Sequence, residues 1–394
     1  MPEADSPDNS EAYSLDAMAR SKLAALEARA LLRQPVETAR DGVWVERGGR
    51  RLLSFSCNDY LDLSRHPAVK QAAVEATQRY GAGAGASRLV TGNHPLYAAL
   101  EAKLAALKGT AAAMVFGSGY LANVGIISTL AGANDAVFVD ELAHNCILTG
   151  AAASGGAVHA FRHNDVEHLA ALLTAERSKH RHALIATDGV FSMDGDLAPL
   201  PDLAALAADH GAWLLADDAH GVGVVGGGRG SSFAFTPHPD VPLQMGTLSK
   251  AVGVYGGYLC ASQPVIDLLK SRAASFVYST GLPPATVAAA SAALDIIAND
   301  SVTVAKPLAK AKLFTNALGL APAQSAIVPV VLGDTKKALA AAALLEAEGF
   351  LVAAIRPPTV PQNSARLRVT FSAAHDDADI LRLADLINTR VLVS

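Results

Sequence analysis

Between residues 58 and 282, short apolar runs of strand length alternate with longer stretches rich in alanine and leucine. The strand-like runs are AAMVF, AVFVD, ALIATD, AWLLADD and LQMGT. Strands that alternate with helices in this way are typical of a mostly parallel sheet covered by helices. The sequence therefore predicts a large α/β domain over 58–282.

The part before this domain, residues 1–57, is predicted to be a small N-terminal appendage. Leucine and alanine recur at helical spacing over 14–33, and strand-like pieces follow at 43–45 and 52–55. Residues 1–13 are polar and contain two prolines, so we expect them to form a flexible lead-in.

The part after the large domain covers residues 283–394. It opens with Pro283 and Pro284 and an alanine-rich stretch to about 298, which predicts a linker helix. The strand-like AIVPVVLG, a helix around 335–348 and the strand-like ARLRVTF then predict a small α+β domain.

Charge and cysteine usage exclude several classes of protein. The net charge is −5 with no local run of Lys and Arg, so we do not expect a nucleic-acid partner. Cys57, Cys146 and Cys260 are widely spaced and form neither CxxC nor Cys/His metal spacing, which favours a reduced, cytoplasmic protein without a metal site. The acidic N-terminus favours the same location, since export signals are basic. The uncharged stretch 111–133 could span a bilayer by length, but its glycines and polar residues favour a strand, a turn and a buried helix, and we expect no membrane association.

Ligands of α/β sheets bind at the carboxyl ends of the strands, so the polar residues that follow the apolar runs are candidates for function. The first run ends in Gly117-Ser118-Gly119-Tyr120 and then a helix. The glycines allow close backbone approach, and a helix N-terminus offers free N–H groups to an anion. On its own this segment is equally compatible with a phosphate cup and a plain tight turn.

Two further strand ends carry ionisable residues. The run WLLADDAH places Asp217, Asp218 and His220 together, and such a group could bind a cationic heteroaromatic nitrogen, hold a metal or cap a helix. Lys250 follows LQMGT beside Thr247 and Ser249. A lysine there is either a surface residue with a buried stem or a Schiff-base lysine whose amine is kept neutral by burial.

These segments, with Ser192 in TDGVFSMDGD, together resemble the active site of fold-type I pyridoxal-phosphate (PLP) enzymes. Over residues 15–390 the chain resembles the α-oxoamine synthase family more closely. The segments that carry this resemblance are FSCNDYLDLSRHP, GAGASRLVTGNHPLYAALE, DELAHNCI, DGVFSMDGDLAPLPDL, DDAHGVGVVG, GTLSKAVGVYGGY, FVYSTGLPP and RPPTVP. The resemblance implies a fold-type I PLP-dependent transferase with pyridoxal 5'-phosphate as its cofactor.

The resemblance also implies catalytic roles. Lys250 would form the Schiff base and remove the Cα proton of the amino acid, and Asp217 would hold the protonated pyridine nitrogen. His220 would bond the ring hydroxyl oxygen, and Ser192 would lie near the same oxygen. His144 would stack on the ring and contact the substrate, although the small pair that usually follows it is here Asn145-Cys146. No role is assigned to Asp218.

The cofactor phosphate would be bound by Gly119, Tyr120 and Thr247 and, from the neighbouring subunit, by Ser279 and Thr280. A polar approach to a helix is the alternative for this last pair. The resemblance therefore implies a homodimer whose active site is shared between the subunits.

Substrate contacts are implied for three more residues. Arg356 in RPPTVP matches an arginine that clamps the amino-acid carboxylate, and Thr359 matches a contact to the acyl donor. Arg33 matches such a contact only across a gap, so an exposed arginine at a helix end is the alternative.

Within the family, TLSKA and RPPTVP favour the branch that condenses L-alanine with pimeloyl-CoA or a pimeloyl-carrier protein in biotin biosynthesis. One alternative is a sister synthase, such as a 2-amino-3-ketobutyrate CoA ligase acting on glycine. An alternative of another class is a non-catalytic regulatory subunit, which need not retain Lys250.

Overall fold

The computed structural model describes residues 14–29 and 31–393, so the predicted lead-in over 1–13 lies outside the described residues. The strands are β1 Ala39–Asp41, β2 Trp44–Arg47, β3 Arg50–Ser54, β4 Ala112–Phe116, β5 Ala136–Asp140, β6 Ala157–Phe161, β7 Ala183–Asp188, β8 Trp213–Asp217, β9 Leu243–Thr247, β10 Gly257–Ala261, β11 Ile327–Gly333, β12 Phe350–Leu351, β13 Ala353–Ile355 and β14 Ala365–Thr370. The helices are α1 Leu15–Ala28, α2 Pro67–Tyr80, α3 Leu96–Lys108, α4 Gly119–Leu130, α5 Asn145–Ser154, α6 Val166–Glu176, α7 Leu200–Asp209, α8 Gln263–Arg272, α9 Ala274–Val277, α10 Pro284–Asn299, α11 Ser301–Ala317, α12 Thr335–Ala347 and α13 Asp377–Leu386.

A seven-stranded sheet with the order β4-β10-β9-β8-β7-β5-β6 forms the centre of the large domain. Strands β9, β8, β7, β5 and β6 are parallel, whereas β10 is antiparallel to both of its neighbours. The mostly parallel sheet is therefore confirmed, and each of the five apolar runs forms one of its strands. Because the strands are parallel, the residues that follow β7, β8 and β9 emerge at one edge.

Helices cover both faces of this sheet, which explains why its central strands are apolar on both sides. On one side α2, α3 and α10 pack together, with Tyr97, Leu100 and Leu294 in one core cluster. Helices α4, α5 and α8 contribute to a second cluster, and α6 and α7 to a third. Leu100 is fully buried, so Leu100→Ala should cost roughly 2–5 kcal/mol of stability.

The strands of the N-terminal appendage pack against the C-terminal part of the chain. They form a four-stranded sheet with the order β1-β2-β3-β12, in which β3 and β12 are parallel. Phe55 lies against Phe350 and Phe371, with ring centroids 6.0 and 5.8 Å apart. Strands β11, β14 and β13 form a separate sheet in the C-terminal part. The domain boundaries at 57 and 282 stay a prediction.

The N-terminal helix is shorter than predicted, since α1 ends at Ala28 and has no buried residue. Helix α10 forms where the linker helix was predicted, and its apolar face packs against α2 and α3. Among the described residues, no single helix is long and apolar enough to cross a membrane. Helices α10 and α11 meet the criterion only as a pair, with a bend of 81° between them.

Candidate active site

Three ionisable residues predicted from the sequence meet beyond the carboxyl ends of β8 and β9. Nζ of Lys250 lies 2.7 Å from Nε2 of His220, and Asp217 ends β8 nearby. The other ring nitrogen of His220, Nδ1, lies 2.7 Å from the hydroxyl of Tyr60. Tyr60 and His220 are both buried. The turn after β8 and the turn after β9 thus bring a lysine and a histidine into contact.

Burial sets the protonation of this group. It is the main cause that lowers the pKa of Lys250 to about 8, against the opposing attraction of Asp217 and Asp188. Burial also lowers the pKa of His220 well below its ordinary value, and the charges of Lys250 and Arg368 add to the effect. For Tyr60, burial raises the pKa to about 12. The arrangement therefore favours a neutral imidazole beside an amine that loses its proton near neutral pH.

Asp217 is buried and held by two hydrogen bonds. Nδ2 of Asn123 donates to one carboxylate oxygen at 2.7 Å, and the backbone N–H of Ala219 donates to the other at 2.9 Å. Asp188, at the end of β7, accepts a hydrogen bond from the backbone N–H of His144 at 2.7 Å. Burial, and then the charge of Asp217, raises the pKa of Asp188 well above its ordinary value. Because Asp188 favours the neutral form, Asp217 is the carboxylate better suited to pair with a cation.

His144 lies at the N-terminus of α5 and contacts the cysteine that departs from the family pattern. Nδ1 of His144 is 2.8 Å from Sγ of Cys146, whose thiol also accepts from Asn123 at 3.1 Å. Burial, and then the charge of Asp217, raises the pKa of Cys146 to about 12. The thiol thus stays protonated and can donate to Nδ1, which leaves the proton of a neutral His144 ring on Nε2.

The predicted phosphate cup is assembled at the N-terminus of α4. The hydroxyl of Ser118 accepts from the backbone N–H of Leu121 at 3.2 Å, which leaves the N–H groups of Gly119 and Tyr120 at the helix start to face an anion. A Cβ added at Gly119 would lie 3.4 Å from Cβ of Thr247, so the missing side chain keeps this cup open. The Tyr120 hydroxyl instead donates to Thr149.

Arg368, on β14, is a buried arginine of this site that the sequence analysis missed. Its Nε donates to the backbone oxygen of Ser192 at 2.6 Å, and its two terminal nitrogens lie 3.2 and 3.3 Å from Oδ1 of Asn58. The available signal was the alternation in ARLRVT, which places two arginines at the inward spacing of an otherwise apolar strand. Tyr60, Asn58 and Asn123 were missed as well, since their sequence neighbourhoods resemble ordinary turns and helix interiors. Asp188 was also missed, although it ends the apolar run ALIATD and so carried the same strand-end signal as Asp217.

A cavity of about 650 Å³ opens beside His144 and Ser192. Arg33 and Thr359 also line it, and the guanidinium of Arg33 donates to the Thr359 hydroxyl at 3.2 Å. The structure thus brings together two residues that are 326 positions apart in the chain. Arg356 instead lines a separate cavity of about 210 Å³ with Arg29 and Thr335.

Ser279 and Thr280 are distant from Gly117 in sequence but close to it in space. Both line a narrow cavity with Gly117 in the same chain. Thr280 also forms an isolated antiparallel bridge with Ser87. The large sequence distance between Ser279 and Gly117 therefore does not by itself favour a role for Ser279 and Thr280 in the neighbouring subunit. The shared active site stays a prediction.

Three ion pairs, formed by Lys108 and His163 with buried or half-buried carboxylates, support the site without entering it. Asp218, which had no predicted role, accepts from the fully buried Lys108 at 2.5 Å and from the backbone N–H of Ser231. His163 lies between Asp140 and Asp196, at 3.2 and 2.9 Å. Burial alone would lower the pKa of His163, but its hydrogen bonds to the two carboxylates outweigh this and raise it to about 10. The charged imidazole therefore braces the loop that carries Ser192.

The residues present fit pyridoxal 5'-phosphate. The amine of Lys250 is positioned to attach an aldehyde, the buried Asp217 suits a pyridinium nitrogen, and the open cup at Gly119 suits a phosphate. Hydrogen-bonding groups for a ring hydroxyl are available at His220 and Ser192.

Comparisons with known proteins agree with this geometry. The model of the family described as "Aminotransferase class I and II" matches residues 50–387. The 8-amino-7-oxononanoate synthase of Beijerinckia indica is 61% identical over 375 residues, which cover 95% of this chain and 97% of the relative. That of Granulibacter bethesdensis is 60% identical over 374 residues, with the same two coverages of 95% and 97%.

Solved structures also share the fold. A variant of the serine palmitoyltransferase of S. paucimobilis, solved with a bound PLP–myriocin aldimine, superposes with a TM-score of 0.88. It is 28% identical in sequence, and the match covers 97% of this chain and 98% of that one. The fold-type I architecture expected from the sequence is therefore confirmed.

Proposed function

Because this chain belongs to the 8-amino-7-oxononanoate synthase family of PLP-dependent transferases, we propose that it condenses L-alanine with a pimeloyl thioester, releasing CO₂ and the free thiol. The observation that carries the proposal is the contact between Lys250 and His220 beside the buried carboxylate of Asp217. A non-catalytic subunit would have no use for an amine whose pKa is lowered to about 8.

Each residue of this group has a defined task in the reaction. PLP, when bound, supplies the electron sink that stabilises negative charge at Cα of the amino acid. Lys250 supplies the neutral amine that attaches to the cofactor and later takes the Cα proton. Asp217, fixed by Asn123, holds the positive charge of a pyridinium nitrogen. His220, oriented by Tyr60, offers a hydrogen bond to an oxygen on the ring.

We assign the carboxylate of alanine to Arg368 and not to Arg356. Arg368 is buried, lies close enough to Lys250 and His220 to lower the pKa of both, and carries five N–H donors on a planar group suited to a carboxylate. Asn58, which contacts it, provides a neutral polar neighbour. Arg356 lines a separate cavity, which supports a role away from the amino acid.

The acyl donor is assigned to the cavity of about 650 Å³ lined by Arg33, His144 and Thr359. Its volume lies within the range of ordinary ligand pockets. Arg33 lines this cavity together with the carboxylates of Glu141 and Asp194, and Asp194 is already paired with Arg366. The guanidinium of Arg33 can therefore pair with either the distal carboxylate of the pimeloyl chain or the phosphates of CoA. The hydrogen bond from Arg33 to Thr359 supports a contact of Thr359 with the acyl donor as well.

The proposal includes a homodimer. The segment that holds Ser279 is joined to the loop between α2 and α3, where the backbone N–H of Gly281 donates to the backbone oxygen of Ala86. On these two joined segments Tyr278, Val90 and Leu89 are 87%, 75% and 56% exposed. Apolar side chains exposed as a group, unlike single ones, mark a surface that a partner can cover. We propose that a second copy covers it. The cytoplasmic location stays a prediction.

A matrix of substrates tests the reaction. Release of free thiol is measured for alanine, glycine and serine against pimeloyl-, acetyl-, succinyl- and palmitoyl-CoA, and for alanine against a pimeloyl-carrier protein. We expect the highest kcat/KM for alanine with a pimeloyl thioester. Glycine should react more slowly without being excluded, since one methyl group is worth only about 1–3 kcal/mol in a pocket. A higher kcat/KM for glycine with acetyl- or succinyl-CoA would assign the chain to a sister reaction.

A further inference from the structure

Three potential metal ligands meet at the outer edge of the large sheet, away from Lys250. One ligand atom from each of His159, Glu176 and His180 lies within 4.8 Å of the other two. His159 is on β6, the edge strand that pairs only with β5 among the described strands. Glu176 is the last residue of α6, and His180 follows the short helical turn after it. The search for Cys/His metal spacing in the sequence could not reveal this cluster, because it contains no cysteine and the fold brings His159 next to the other two residues.

A buried nitrogen of His159 gives independent support. Its Nε2 is shielded from solvent and has no hydrogen-bond partner in the part of the chain that the structure describes. Leaving such a group unsatisfied destabilises the folded chain, and a bound cation would remove that penalty. The ring is held by stacking on Phe138, with centroids 5.0 Å apart, so its direction is set by the strand pair.

From these contacts we propose that His159, Glu176 and His180 form a binding site for Zn²⁺, completed by one water molecule. Two imidazoles and a carboxylate suit divalent zinc and its neighbours cobalt and nickel. Tetrahedral bonds of about 2.0–2.1 Å place ligand atoms roughly 3.3 Å apart. Each pair of ligand atoms therefore has to approach by at most about 1.5 Å, which side-chain rotation can supply. The rings of His159 and His180 already meet at 64°, with centroids 5.9 Å apart.

Lys179 competes with the metal for Glu176. Its Nζ donates to both carboxylate oxygens at 3.0 and 2.9 Å, and its side chain is 60% exposed. An exposed ion pair of this kind contributes little to stability, so a divalent cation can displace Lys179 from Glu176. The bound metal would join the end of α6 to the edge strand β6 and thereby stabilise the exposed edge of the sheet.

The test uses untagged, PLP-loaded protein stripped of metal with a chelator. Zn²⁺ is titrated by calorimetry, and Co²⁺ by the visible absorption of its tetrahedral complexes. We expect one equivalent per chain and a rise in Tm on binding, because the metal binds the folded state. His159→Asn and His180→Asn should each weaken binding by more than about tenfold, since even outer-shell losses cost 10–100-fold.

Lys179→Ala provides a change in the opposite direction. Removing the competing cation should strengthen Zn²⁺ binding by up to about fivefold, as the value of the exposed pair implies. His210→Asn and His182→Asn are the matched controls and should leave affinity unchanged, and none of these variants should alter turnover. The site is refuted if stoichiometric binding is absent, if His159→Asn binds as tightly as the unsubstituted chain, or if His182 is required.

Discussion

Nζ of Lys250 lies 2.7 Å from Nε2 of His220, whose other nitrogen lies 2.7 Å from the Tyr60 hydroxyl. Tyr60, with its pKa raised to about 12 by burial, keeps its proton and can donate it to Nδ1. The proton of the neutral imidazole is then on Nε2, facing the amine. A histidine that donates to Lys250 favours the unprotonated amine, in agreement with the lowered pKa of the lysine.

Lys250→Ala should abolish turnover and covalent attachment of the cofactor, because no other amine takes its place beside His220. The fold should be retained, since burial of the Lys250 amine is itself unfavourable and its removal relieves that cost. Borohydride reduction followed by mass analysis measures attachment, and circular dichroism controls for folding. Attachment or full activity in the variant would remove Lys250 from its role.

Cofactor attachment should depend on pH with a midpoint near the lysine pKa of about 8. This pKa is lowered from 10.5, so the amine is charged and unreactive below about pH 8 and neutral above it. The rate at which cofactor-free protein captures PLP should therefore rise up to about pH 8 and then level off. Stopped-flow absorbance measures it. A rate that keeps rising towards pH 10.5 would indicate an ordinary exposed lysine.

Asp217→Asn should reduce turnover by at least roughly two decades, about 2.7 kcal/mol, because an amide cannot stabilise a protonated pyridine nitrogen. Asp218→Asn is not a neutral control, since it breaks the buried pair with Lys108 and should lower Tm. The two variants thus separate chemistry from folding. A loss in Asp217→Asn of less than about threefold would reduce Asp217 to a structural role.

The two candidate arginines can be separated by a matched pair of substitutions that preserve charge. Arg368→Lys should raise KM for alanine by at least about tenfold, because an ammonium group lacks the planar pair of donors that a carboxylate accepts. Arg356→Lys should change it by less than about twofold. Initial rates measured against alanine concentration at a saturating acyl donor give the KM for alanine, and Tm controls for folding. The reverse pattern would restore the carboxylate to Arg356.

Complementation tests the shared active site. A Lys250→Ala chain and a chain with both Ser279→Ala and Thr280→Ala should each have little activity alone. In a hybrid dimer with shared sites, one site combines the intact lysine with the intact hydroxyl pair, so random mixing should restore about one quarter of normal activity. If Ser279 and Thr280 serve their own subunit, mixing restores nothing. Sedimentation confirms that hybrids can form.

The sequence alone determined the large domain and the residues at its strand ends. Apolar runs of five or six residues can be buried only within a sheet covered on both faces, and parallel strands place their carboxyl ends at one edge. Lys250, Asp217 and His220 are therefore predictable as neighbours, because each follows such a run at once. Local signals also indicated a helix start at Gly119, because the two glycines and the helical pattern are adjacent in sequence, but they left a phosphate cup and a plain tight turn equally open.

Only the tertiary structure decided which distant residues lie beside the predicted residues at the strand ends. Tyr60, Asn123 and Arg368 come from an N-terminal loop, a helix interior and a strand of the C-terminal part, and no local pattern marks them as partners. The protonation of Lys250 depends on the same packing, since a pKa shift arises from lost hydration and from charges that the fold brings close. Periodicity predicts which face of an element is buried, but it cannot say what lies opposite, and that is why the chemistry at the strand ends was predictable while its setting was not.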